Sequence, residues 1–214
     1  MVQIKICGIT EKEGLETCVR CGVDWVGFVF FEKSPRFLAP EQAATLSSFF
    51  QQGGPQRVGL FVEPDFEKVA NILAHVRLDV LQLYTDMEKA VLFARYFGRP
   101  VWVSLPISQR SELPYSLPTE IERVLIEPKP PLHATQPGGN GQSMEWSLLK
   151  GWCPSFPWML AGGLTPENVA EAIKQTGTSA VDVSSGVEVT RGVKSPSKII
   201  HFVETVRALR ALKS

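Results

Sequence analysis

A cysteine, a glutamate and an arginine stand where predicted strands end or just beyond, and these are the residues that could do chemistry. Cys7 and Glu127 each follow an apolar run, and Arg36 lies in the loop after another. Loops that follow parallel strands converge at one end of a sheet or barrel, so these side chains are expected to meet. A thiolate can take a proton while a protonated carboxyl gives one, each contributing roughly 10²- to 10⁴-fold to a rate. The set predicts a site that binds an anion and moves protons.

These two roles require pKa shifts of opposite direction in the thiol and the carboxyl. Cys7 would need a lowered pKa and Glu127 a raised one. Lys5 could lower the thiol pKa if its side chain points into the barrel rather than away from it. The alternative for Cys7 is a small buried hydrophobe, which is how free cysteine usually behaves.

Two further charged residues are candidates for substrate binding. Arg36 offers a planar fork suited to a carboxylate, and the alternative is a solvated loop arginine. Asp182 lies between Val181 and Val183, and this alternation predicts a carboxylate that points into the barrel. Such a group is either a structural hydrogen-bond acceptor or a reserve acid.

Two glycine-rich turns, Gly162-Gly163 and Ser185-Gly186, follow the last two predicted strands. Glycine allows backbone N–H groups to approach an anion, and the loops after strands seven and eight of a barrel commonly bind phosphate. The alternative is that these glycines only make tight turns. Two adjacent turns of the same character favour phosphate binding.

Apolar runs alternating with amphipathic stretches must position these residues. We predict strands over residues 2–6, 25–30, 57–62, 79–83, 101–105, 123–127, 158–161 and 180–184. Predicted helices cover residues 11–21, 40–51, 65–75, 86–97, 145–151, 166–176 and 196–212. This α/β pattern indicates a single (β/α)8 TIM barrel over 1–214, with the fifth helix short or missing and a long loop over 127–143.

Composition narrows the class of protein. The 214 residues carry 22 basic and 22 acidic side chains, so no overall charge attracts nucleic acid or an anionic membrane. No signal peptide or membrane span is predicted, and we expect a cytoplasmic protein. Four cysteines are too few for a disulfide framework in a chain of this length. The three histidines fall in predicted helices or the long loop, so no metal site is predicted.

Several segments in this order resemble the phosphoribosylanthranilate isomerase family of tryptophan biosynthesis. They are KICGIT at 5–10, GFVF at 27–30, KSPR at 33–36, VGLFV at 58–62, GGNG at 138–141, LAGGL at 160–164 and VDVSSGVE at 181–188. The resemblance implies an Amadori rearrangement of N-(5-phosphoribosyl)anthranilate to 1-(2-carboxyphenylamino)-1-deoxyribulose 5-phosphate, without metal or organic cofactor. The only implied partner is this small phosphorylated substrate, and the protein would be a monomer or homodimer.

The resemblance also implies roles for particular residues. The general base falls on Cys7, the general acid on Glu127 and the arginine that holds the anthranilate carboxylate on Arg36. The phosphate-binding backbone falls on Gly162, Gly163, Ser185 and Gly186.

The chain departs from the family pattern at three places: Glu127 replaces the usual Asp, Tyr84-Thr85 the usual His-Gly, and Asn140 the usual Thr. Two alternatives therefore stay open, a catalytically weakened phosphate-binding barrel and another phosphosugar isomerase of the same architecture.

Overall fold

The computed structural model describes residues 1–49, 53–130, 138 and 144–209, and its centre is a closed barrel of eight parallel strands. Neighbouring strands follow chain order, and β8 pairs with β1 to close the barrel. The strands are β1 Gln3–Cys7, β2 Trp25–Val29, β3 Gln56–Val62, β4 Val80–Tyr84, β5 Val101–Ile107, β6 Ile121–Pro128, β7 Trp158–Leu160 and β8 Ala180–Val183. The predicted (β/α)8 barrel is confirmed.

Successive side chains along each strand point alternately into the barrel interior and toward the covering helices. In β1, Ile4 and Ile6 join the large apolar core, whereas Cys7 belongs to a small cluster with Val29 and Leu60. Lys5 has the same parity as Cys7 and is completely buried. The interior therefore receives a lysine and a thiol from one short strand.

The helices that cover the barrel are α1 Lys12–Cys21, α2 Pro40–Ser47, α3 Phe66–His75, α4 Met87–Phe97, α5 Val169–Thr176 and α6 Pro196–Ala208. Three of the predicted starts carry side-chain caps. Asp65, Asp86 and Ser195 each accept a hydrogen bond from the backbone N–H three residues on, which satisfies a donor that the helix itself leaves unpaired.

The structure agrees with the short or missing fifth helix and differs from the helices predicted after β6 and β7. After β5 there is only a 3-10 turn, Arg110–Glu112, as expected for a short or missing fifth helix. The helix predicted over 145–151 is wrong in type, because a 3-10 turn, Trp146–Leu149, stands there. α5 begins three residues later than predicted, since Asn168 and Thr165 form a turn first. The predicted helix ends at 50–51 and 210–212 and most of the loop over 127–143 lie outside the described residues.

A two-stranded antiparallel hairpin follows β8 and adds two charged residues near the barrel mouth. It consists of β9 Glu188–Thr190 and β10 Val193–Lys194, and its register places Lys194 opposite Glu188. Among the described residues, no helix is long and apolar enough to cross a membrane.

Candidate active site

A cavity opens at the carboxyl ends of the strands and brings most of the predicted site residues together. Its wall is formed by the ends of several strands and by the loops that follow them. The lining residues include Cys7, Arg36, Tyr84, Glu127, Gly138, Gly162, Gly163, Asp182, Ser184 and Ser185. Gly186 is the one predicted site residue that the wall does not include. The thiol of β1 and the carboxyl of β6 thus face one space.

Cys7 is held at the end of β1 by its neighbours on both sides. The Ser184 hydroxyl donates to the Cys7 carbonyl at 3.0 Å, and Gly8 turns the chain with a φ of +74°. Gly27 lies against the thiol on the adjacent strand, where an added Cβ would stand 2.8 Å from Sγ. The close fit leaves the thiol 5% exposed, so its surroundings control its ionisation.

Cys7 does not have the lowered pKa that a general base would need. Burial raises the pKa of the thiol, although Lys5 and Lys194 act to lower it. Lys5 does point inward, and its Nζ lies 2.9 Å from Asp182 Oδ1. Burial lowers the pKa of Lys5, but Asp182 and Cys7 more than offset this and raise it overall. The ammonium is therefore a fixed positive charge beside the thiol.

Glu127 at the end of β6 has the raised pKa that the sequence analysis required. Its side chain is buried, and burial raises the pKa to about 8, with Asp182 adding to the rise. The hydrogen bond from Tyr84 and the charge of Lys5 act in the opposite direction. A carboxyl with this pKa carries a proton at neutral pH and can donate it.

Tyr84 stands between Glu127 and a short polar chain inside the barrel. Its hydroxyl bonds to Glu127 and to Ser104, and Gln82 Nε2 donates to Ser104 Oγ at 2.9 Å. Burial and the neighbouring Glu127 raise the pKa of Tyr84 well above its usual value, so the phenol keeps its proton. An added Cβ at Gly138 would contact both the Tyr84 hydroxyl and Glu127 Oε2, which shows how tightly these groups are packed.

Arg36 is buried, so the alternative of a solvated loop arginine is wrong. Its Nε donates to Glu188 Oε1 at 2.7 Å and its Nη2 to Glu188 Oε2 at 3.0 Å, a two-pronged ion pair. Lys194 Nζ lies 2.8 Å from the same carboxylate and 3.0 Å from the Ser184 carbonyl oxygen. Burial acts to raise the pKa of Glu188, but Arg36 and Lys194 lower it overall, so the carboxylate stays ionised.

The backbone conformation of the first glycine-rich turn explains why glycine occupies it. Gly162 and Gly163 have φ values of +90° and +62°, and an added Cβ at Gly162 would collide with the ring of Pro128. Asn168 ties this turn to the next helix, since Nδ2 donates to the Gly163 carbonyl at 2.9 Å and Oδ1 accepts from the Thr165 N–H at 2.8 Å. The turn is thus held rigidly with its backbone at the cavity wall.

Gly186 lies in a 3-10 turn, Ser185–Val187, where an added Cβ would collide with the Leu164 carbonyl. Its identity is explained by the close approach of the two loops that follow β7 and β8. Ser185 and Gly163, the neighbours in sequence of the two residues in contact, line the cavity. Among the described residues, no group of three or more His, Cys, Asp or Glu side chains could hold a metal ion.

Sequence reasoning missed several residues of the site. The inward direction of Lys5 was available from its parity with Cys7 in β1. Glu188 carried no such signal, because its partner Arg36 is 152 positions away and their meeting depends on barrel closure. Lys194 joins this pair through its own contact with Glu188 in the hairpin. Tyr84 was noted as a departure from a pattern, but its contact with Glu127 requires β4 and β6, which β5 separates, to point both side chains into the barrel interior.

Comparison with known proteins gives consistent results over almost the whole chain. The family model of N-(5'-phosphoribosyl)anthranilate isomerase matches residues 4–205. The isomerase of that name from Rhodospirillum rubrum is 49% identical over 211 residues, covering 95% of this chain and 97% of the relative. The one from Paramagnetospirillum magneticum is 44% identical over 213 residues, covering 98% and 99%.

Solved structures agree with the sequence comparisons. Phosphoribosylanthranilate isomerase from Thermotoga maritima superimposes with a TM-score of 0.84 at 33% identity, covering 97% of this chain and all of that one. A second crystal structure holds the isomerase in complex with reduced 1-(o-carboxyphenylamino)-1-deoxyribulose 5-phosphate. It superimposes with a TM-score of 0.81 at 31% identity, again covering 97% of this chain and all of that one.

Proposed function

The chain belongs to the N-(5'-phosphoribosyl)anthranilate isomerase family of tryptophan biosynthesis and is an isomerase, and on this premise we propose that Cys7 is its general base and Glu127 its general acid. The reaction is an Amadori rearrangement, which moves protons within one substrate and consumes no co-reactant. The observation that carries the proposal is the pairing, in one cavity, of a thiol beside a fixed ammonium with a buried carboxyl whose pKa is about 8.

Glu127 starts the reaction by giving its proton to the ring oxygen of the ribose. The bond between that oxygen and C1 breaks, and the nitrogen lone pair forms a C1=N bond, which leaves an open-chain iminium cation. The acid is present in the required form, because a carboxyl with a pKa of about 8 is mostly protonated at pH 7. Its Oε1 is buried and has no hydrogen-bond partner among the described residues.

Cys7 completes the rearrangement by removing the proton from C2. The electrons of the C2–H bond form a C1=C2 bond, the iminium nitrogen recovers its lone pair, and the resulting enaminol tautomerises to the ketone product. The thiolate is disfavoured by burial, but the iminium cation places a second positive charge near a thiol that already adjoins Lys5. The base therefore ionises best when the substrate's ring has opened.

The ends of the substrate are assigned to the two sides of the cavity. Arg36, fixed by Glu188, presents its guanidinium for the anthranilate carboxylate. The backbone N–H groups of Gly162, Gly163, Ser185 and Gly186 bind the phosphate, with the turn around Gly163 held by Asn168. Asp182 lines the same cavity and holds Lys5 through an ion pair at 2.9 Å.

The first test generates phosphoribosylanthranilate in situ and follows its loss by fluorescence in metal-free buffer. We expect turnover from the unmodified protein and none above background from Cys7→Ser. The matched control is Cys153→Ser, which removes an exposed thiol and should keep full activity. Turnover that survives in Cys7→Ser would refute the base, and no turnover from well-folded unmodified protein would favour a phosphate-binding barrel with weakened catalysis.

We further propose that the whole chain acts as one catalytic domain in the cytoplasm, as a monomer or homodimer. The cavity wall is built from β1, β4, β6 and the loops after β2, β7 and β8, so separate parts could not form it. Light scattering after size-exclusion chromatography measures the assembly, and activity at dilutions that dissociate any dimer shows whether one copy suffices.

A further inference from the structure

The hydroxyl of Tyr84 contacts the carboxyl of Glu127, yet neither proposed proton transfer uses it. Tyr84 is partly buried and lines the cavity, and its hydroxyl also meets Ser104 from the neighbouring strand β5. A phenylalanine ring without the hydroxyl would be enough to fill this space. Two hydrogen bonds to one hydroxyl, one of them to the proposed acid, indicate a function for the oxygen itself.

The hydrogen bonds have a fixed direction. Gln82 Nε2 can only donate, so Ser104 Oγ accepts from it at 2.9 Å and keeps its own proton for another partner. Ser104 gives that proton to the Tyr84 oxygen, which leaves the phenolic proton for Glu127. This series of hydrogen bonds, from Gln82 through Ser104 to Tyr84, therefore presents a hydrogen-bond donor to the Glu127 carboxyl and no acceptor.

This direction distinguishes the two oxygens of Glu127. Oε2 lies beside the Tyr84 hydroxyl, since an added Cβ at Gly138 would contact both atoms, and it accepts the phenolic proton. Oε1 is buried without a hydrogen-bond partner in the part of the chain that the structure describes. A protonated carboxyl cannot place its own proton on the oxygen that faces another donor, so the proton resides on Oε1.

We infer that Tyr84 is a positioning residue for the acid: by donating to Glu127 Oε2, it fixes the side chain and directs the transferable proton to Oε1. The inference rests on the proposed role of Glu127 as general acid. Glutamate has three rotatable side-chain bonds, and without a tether its carboxyl would sample several orientations in the cavity. A misplacement of about 1 Å can cost on the order of 10²-fold in rate.

The same hydrogen bond tunes the acidity of Glu127. Three elements bring titratable or charged groups to this carboxyl or to the Tyr84 hydroxyl: Lys5 and Cys7 from β1, Tyr84 from β4, and Asp182 from β8. Among these groups, the tyrosine can be changed without altering a formal charge at neutral pH and without removing the proposed base. Because its hydrogen bond stabilises the carboxylate, removing the hydroxyl should raise the pKa of Glu127 further.

The test uses Tyr84→Phe, which keeps the ring, with Tyr115→Phe as the matched control at a 92% exposed tyrosine. Infrared difference spectra against Glu127→Gln isolate the carbonyl band of the protonated Glu127 carboxyl and give its titration directly. In Tyr84→Phe we expect the midpoint to move to higher pH by about one pH unit, the equivalent of one charge-assisted hydrogen bond. We also expect kcat to fall about 10- to 100-fold with KM little changed.

A double-mutant cycle separates positioning from general damage. Glu127→Asp retracts the carboxyl by one C–C bond, about 1.5 Å, and should lose the contact with Tyr84. Tyr84→Phe should then cost little more in the Glu127→Asp background, because the interaction is already broken. Equal costs in both backgrounds would overturn the inference.

The remaining outcomes also decide the question. A lower kcat in Tyr84→Phe with an unmoved infrared midpoint would mean that the tyrosine only fills space, and an unchanged kcat would mean that the acid needs no tether. Either result contradicts positioning while leaving the acid assignment intact. If Glu127→Gln itself keeps full activity, the proposed acid is wrong, and that failure is visible before Tyr84 is considered.

Discussion

Replacing the proposed acid with its neutral isostere should make the protein more stable, and the gain should depend on pH. In Glu127→Gln the side chain keeps its size and can still accept the Tyr84 hydrogen bond, but it cannot ionise. The wild-type carboxyl is costly because burial raises its pKa from 4.5 to about 8. The folded protein must either keep a proton that the unfolded chain would release or bury a charge.

The sign and size follow from proton linkage. The pKa of Glu127 is higher in the folded state, so the folded state binds more protons and wild-type stability falls as pH rises from about 4.5 to about 8. The slope is about 1.4 kcal/mol per pH unit where only the unfolded state is ionised. Between pH 5 and pH 7.5 the advantage of Glu127→Gln should therefore grow by about 3 kcal/mol.

Thermal unfolding of the wild type and Glu127→Gln at pH 5 and pH 7.5 measures this difference. A change of about 3 kcal/mol corresponds to roughly 6–12 °C in Tm for a chain of this size. Glu204→Gln removes a carboxyl from the exposed face of α6 and should show no comparable divergence. Turnover of Glu127→Gln should fall by roughly 10²- to 10⁴-fold at both pH values.

A stability gain that is the same at pH 5 and pH 7.5 would contradict a raised pKa of Glu127. It would mean that Glu127 is already ionised in the folded protein at pH 7.5 and has no proton to give. A loss of stability in the variant at pH 7.5 would have the same meaning, because a neutral group would then be worse than the native one.

Three further perturbations test how the site is held. Gly27→Ala places a Cβ 2.8 Å from Cys7 Sγ and should lower kcat by about tenfold or more, whereas unchanged kinetics would mean that the thiol position is not critical. Lys5→Met removes the cation that lowers the thiol pKa, so alkylation of Cys7 by iodoacetamide should require higher pH; an identical pH profile would contradict this. Glu188→Gln releases one charge from the two-pronged pair with Arg36 and should raise KM more than it lowers kcat, while an unchanged KM would separate Arg36 from substrate binding.

Most of the fold was predictable because its signals are local. Near-continuous apolar runs indicate parallel strands, and Asp65, Asp86 and Ser195 marked three helix starts that the structure confirms as caps. The error after β6 has a local cause as well. Residues 145–151 have a helical pattern, but only four residues form a 3-10 turn before Gly151, which has a φ of +70°, turns the chain.

The site was predictable only in part, because its energetics depend on distant contacts. The positions of Cys7 and Glu127 at strand ends followed from the strands themselves, and so did the inward direction of Asp182. The direction of the Cys7 pKa did not, because the balance between burial and the charge of Lys5 is set by how tightly Gly27 and its neighbours enclose the thiol. The burial of Arg36 likewise depends on a hairpin that closes over it from the far end of the sequence.

The barrel interior divides into a half that stabilises and a half that reacts. Toward the amino ends of the strands, Arg123 stacks on Trp25 and Trp102, with its guanidinium carbon 4.8 and 5.2 Å from the two ring centroids, and the indoles pack edge to face. At the other end, Gln82 Oε1 and Glu127 Oε1 are buried polar atoms without a hydrogen-bond partner among the described residues. Each such atom costs stability. Substitutions among the indoles should therefore lower stability while leaving the activity of the folded fraction unchanged, and substitutions at the acid should do the reverse.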